Sequence, residues 1–115
     1  MSNKTTSHVH EPLVGRVQKI DQLAAFQKDS IVSTRVIQKA AGNVTFFAFD
    51  EGQELSEHAA PFDALLCVFD GETSVMVKDA WHTLKTGDGI ILPANVPHAV
   101  KAVTPFKMML TMIRS

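Results

Sequence analysis

A chain of 115 residues is long enough for one domain and too short for two. With 45% hydrophobic and 20% charged residues, it can bury a core without a disulfide or a structural metal. Its 11 basic and 12 acidic residues leave a formal net charge of -1, which excludes the basic footprint of a nucleic-acid binder or a polybasic membrane patch.

Residues 1–12, MSNKTTSHVHEP, are polar and read as an arm, flexible or docked on a partner. They show neither an apolar signal core nor a cleavage pattern. The pair His8 and His10 has no supporting shell in sequence and reads as a solvated terminus. The barrel domain is expected over 13–115. Its one helical stretch is KIDQLAAF at 19–26, where Ile20, Leu23, Ala24 and Phe26 give a short apolar face.

Everything after that reads as strand. SIVSTRVIQ at 30–38 is rich in branched residues, Ala41-Gly42-Asn43 marks a turn, and VTFFAFD at 44–50 is aromatic and β-branched. Strands then follow at 64–69, 73–78, 81–84, 90–92, 98–103 and 106–113, separated by Gly, Asp, Asn and Pro. Short strands with regular turn signals predict an all-β sandwich or barrel. The runs IILPANV at 90–96 and MMLTMI at 108–113 fall short of the ~20 apolar residues of a membrane helix. Cys67 stands alone, so no intrachain disulfide forms, and a reducing cytoplasm is the expected setting.

Two stretches carry the chemistry. GQELSEHAAPFDALLCVFDG spans Gly52 to Gly71, and GDGIILPANVPH spans Gly87 to His98. They resemble the paired signature of the small cupins, whose motifs run G-x5-H-x-H-x3,4-E-x6-G and G-x5-P-x-G-x2-H-x3-N. Gly52, His58 and Gly71 match the first, but Ala60 and Ala64 stand where a second histidine and a glutamate would be. Gly87, Pro93 and His98 match the second, with Asn95 at the inner glycine and Ala102 at the final asparagine. The resemblance implies a single small cupin-type β-barrel, a jelly roll or double-stranded β-helix, with a short N-terminal arm and helix.

Side chains on one face of a strand recur at i, i+2 and i+4. Parity therefore predicts an interior of His58, Ala60, Ala64, Leu66, Val68, His98, Val100 and Ala102. The family's barrel usually holds a metal there on three histidines and a carboxylate; here two histidines stand in a small apolar room. A catalytic zinc normally needs three protein ligands. His58 and His98 are the candidate metal ligands, for zinc, nickel, iron or manganese, and His82, Asp63 or Glu57 is the candidate third donor. The competing reading makes them neutral histidines bonded to each other, to water or to backbone. A third makes them polar contacts for an organic ligand. Asp50, Glu51, Glu54 and Glu57 read as a solvated acidic loop, and Cys67 as a buried structural thiol.

The leading expectation is a barrel that binds a small molecule, with or without a weakly held divalent metal, at His58 and His98. Alternatives are a metal-dependent oxygenase or isomerase and a dimeric module with a vestigial pocket. Leu65, Cys67 and Phe69 face away from the pocket, and Met108, Met109 and Met112 crowd the last strand. These predict a homodimer. No nucleic acid or membrane partner is expected.

Overall fold

The structure, a computed structural model, describes residues 8–114. Residues 1–7 of the expected arm lie outside them. The strands are β1 (His8–Val9), β2 (Ile31–Lys39), β3 (Gly42–Phe49), β4 (Glu54–His58), β5 (Phe62–Asp70), β6 (Glu72–Val77), β7 (Ala80–Lys85), β8 (Gly89–Leu92), β9 (His98–Ala102) and β10 (Phe106–Arg114). They form a six-stranded sheet in the order β1-β2-β3-β10-β5-β8 and a four-stranded sheet in the order β4-β9-β6-β7. Their pairings are antiparallel. From β3 onward the chain crosses between the sheets at each step except the β6–β7 hairpin, so β10 lies between β3 and β5, and β9 between β4 and β6. This is the all-β barrel expected from the turn spacing.

Alternation along β5 shows how the sequence builds it. Ala64, Leu66 and Val68 are buried, while Leu65, Cys67 and Phe69 take the other face. The buried set meets Phe49, Phe106 and Met108 from its own sheet and Val75, Leu84, Val100 and Ala102 from the other, forming one core. Phe49 and Phe106 pack with ring centroids 4.7 Å apart. The series Phe46, Phe47, Phe49 divides between faces. Phe46 and Ala48 form a second cluster with Ala24 on the outside of the large sheet, where Phe69 meets Phe46 edge-on.

The helix expected over 19–26 is reduced to one 3-10 turn, Ile20–Gln22. Eight residues cannot sustain a helix without tertiary support, and here the neighbours take the backbone groups. The Thr34 hydroxyl donates to the Leu23 carbonyl at 2.7 Å, and Lys107 Nζ donates to the Asp21 carbonyl at 2.7 Å. Lys107 also lies 4.9 Å from the Phe26 ring centroid. The segment is thus strapped over the second cluster. Its upstream neighbour His8–Val9 pairs with β2 at Gln38 and Ile37.

Two further expectations shift. The turn at 41–43 tightens to Ala40-Ala41, with Lys39 paired to Gly42. The acidic loop is half strand: Asp50 and Glu51 start a turn, but Glu54 and Glu57 belong to β4. The Asp50 carboxylate organises that turn by accepting from the Asp29 and Glu51 amides at 2.7 and 2.9 Å. Those two bonds, that from Asp29 foremost, hold its pKa below the ordinary carboxylate value.

Candidate functional site

The site lies where β4 meets β9 in the smaller sheet. Leu55 pairs with Val100 and His58 with His98, so three steps along β4 match two along β9. That is a β-bulge at Ser56 and Glu57. Regular pairing would set Glu57 opposite His98. The extra residue re-aims the strand and puts His58 there instead.

The two imidazoles meet edge-to-face, with centroids 4.5 Å apart and planes at 68°. His98 is buried and His58 exposed, so the pair spans the passage from core to solvent. Each ring is fixed by the carbonyl two residues before it. His58 Nδ1 donates to the Ser56 carbonyl at 2.9 Å, and His98 Nδ1 donates to the Val96 carbonyl at 3.2 Å. Burial, then the neighbouring His58, push the pKa of His98 below the ordinary histidine value, against the opposing pull of its bond to Val96.

Backbone contacts between the two motifs frame the pair. The Asn95 amide donates to the Ala60 carbonyl at 2.8 Å, and the Ala94 amide to Asp63 Oδ1 at 2.9 Å. Asn95 has φ of 63°, the left-handed conformation that an inner glycine would supply and that asparagine tolerates.

Apart from the histidine pair, the pocket and donor residues named from sequence fall into three groups. Ala64, Leu66, Val68, Val100 and Ala102 line the main core. Ala60 is half-buried, two residues beyond His58 and past the end of β4. The three extra donors do not gather around the histidine pair. Glu57 is exposed in the bulge, and Asp63 is spent on the Ala94 amide. His82 pairs with Val75, which pairs with Val100, so it stands two strands from β9, ~10 Å away by strand spacing. Among the described residues, no three His, Cys, Asp or Glu side chains form a metal-holding group. Two imidazoles alone do not fit a resident metal centre. Cys67 faces outward and is half-buried.

Sequence parity missed the bulge and both Nδ1 anchors. The acceptors are backbone carbonyls, which leave no side-chain signature.

The cupin domain family matches residues 45–114, and the chain belongs to it. A conserved protein of unknown function from Streptococcus pyogenes is 26% identical, with a TM-score of 0.89 over 97% of this chain and 98% of that one. A cupin superfamily protein from Desulfitobacterium hafniense is 23% identical, with a TM-score of 0.84 over 88% of this chain and 93% of that one, and shares the fold. A cupin 2 conserved barrel domain protein from Leptotrichia buccalis is 38% identical, with a TM-score of 0.78 over 81% of this chain, which spans 45% of that protein. No curated protein matches the chain. No helix among the described residues is long and apolar enough to cross a membrane.

Proposed function

We propose that this cupin binds a small organic molecule at the His58–His98 pair, in a cytoplasmic homodimer. The observation that carries the reading is the pair itself: two anchored imidazoles in contact, His98 buried and His58 exposed, with Leu55, Val77 and Val100 as their register neighbours. A concave apolar wall with a few convergent polar groups is what small-molecule sites are made of. A divalent ion enters only as a weak guest that completes its shell with water, because the second histidine and the glutamate of the family motif are Ala60 and Ala64. The metalloenzyme alternative requires a third donor, and the described residues gather none.

The pairing surface is the outer face of the large sheet. Leu65 and Ile91 are register partners there, exposed by 45% and 65%. Of the three C-terminal methionines, Met109 packs on the outer face, whereas Met108 and Met112 turn into the core.

The test is a metabolite-mixture screen on untagged protein, read by thermal shift and repeated with His98→Gln. The expected result is a stabilising compound whose effect is lost in the variant. Equal stabilisation of both proteins by every hit would remove the pair from the site.

A further inference from the structure

We infer that the His58–His98 pair recognises a neutral ligand through an O–H or N–H donor, and that it disfavours carboxylate and ammonium head groups. This deepens the small-molecule reading above and rests on it. The first premise is geometric. Each Nδ1 lies within hydrogen-bonding distance of a backbone carbonyl, 2.9 Å for His58 and 3.2 Å for His98. A carbonyl oxygen can only accept, so each Nδ1 must carry the proton. In a neutral imidazole the other ring nitrogen is then a bare acceptor. The backbone has therefore set both Nε2 atoms to the same role.

The second premise is the surroundings. Register places Val77 beside His98 on one side and His58 on the other, with Leu55 and Val100 next along the same face. None of these side chains donates a hydrogen bond. With both rings neutral, a carboxylate would meet two acceptors and no donor. An ammonium group would find acceptors but no counter-charge, since Asp63 is held by the Ala94 amide and Glu57 is exposed in the bulge. An unpaired charge against an apolar wall is disfavoured. A hydroxyl or a neutral N–H meets neither penalty, and its apolar body suits the wall.

The experiment uses the full untagged chain with 15N-labelled histidine and reads the ring nitrogens by NMR. Two probe series hold the body constant and change the head group: phenol, benzoate and benzylammonium, then 1-propanol, propionate and propylammonium. The expected result is Nδ1–H in both rings, with phenol or 1-propanol saturably shifting both Nε2 signals. The charged members of the same series should need at least about tenfold more ligand for half-saturation. His58→Phe, at an exposed position, should weaken the neutral probe. An Nε2–H form in either ring, or unchanged affinity in that variant, overturns the inference. If a charged probe binds more tightly at these nitrogens, the donor rule falls and the small-molecule reading stands. If no probe of either series moves either ring, both fall.

Discussion

Of the two residues of the proposed site, His98 is buried while its partner reaches solvent. Its pKa is lowered in the fold, while in the unfolded chain it titrates at ~6.5. Between the lowered value and ~6.5 the unfolded chain binds more protons than the folded one, so stability falls as the solution is acidified. The contribution is complete above ~6.5 and lost below the lowered value. Urea midpoints at about pH 7.5 and about pH 5.5 should show a smaller acid-induced drop for His98→Gln than for the parent. Equal drops would mean that His98 is not held neutral. Ala60 is the complementary position, two residues from His58. Ala60→His supplies a third imidazole, and zinc affinity by calorimetry should rise by about tenfold or more. No gain in a folded variant would show that position 60 does not point toward the two rings.

At the scale of elements, the turns fix the site. Gly71 joins β5 to β6 with φ of +86°, and a Cβ there would overlap the Pro105 carbonyl and Phe106. Gly71→Ala should cost more than about 1 kcal/mol in denaturant unfolding; a neutral result would show that the β5–β6 turn relaxes freely. The motif glycine was legible in sequence, and so were most strands, because alternation of the kind seen in Ala64, Leu66 and Val68 follows directly from the two-residue period of a strand. The β4 bulge was not legible. It depends on how Ser56 and Glu57 are accommodated opposite one residue of a distant strand, which no local pattern encodes. The segment 19–26 misled for a related reason. Its apolar spacing is helical, but Leu23 and Ala24 serve the outer cluster while Thr34 and Lys107 claim its carbonyls.

For the molecule as a whole, the two faces of the large sheet have different tasks. The inner face closes the core. The outer face is covered at Phe46, Ala48 and Phe69 by the chain's own N-terminal segment and left open at Leu65 and Ile91. A stable dimer buries roughly 800 Å² on each partner, and a charge at the open end of this face should disrupt it. Light scattering at micromolar concentration should give a dimer for the parent and a monomer for Leu65→Glu combined with Ile91→Glu. A monomeric parent would remove the dimer from the proposal. On the proposed function the barrel holds two anchored histidines for an organic ligand and, among the described residues, lacks the donors of a resident metal. Elemental analysis of untagged protein, purified without chelators, tests it most directly. The expected result is zinc, nickel, iron and manganese each far below one atom per chain, and one tightly held atom of any of them per chain would contradict it.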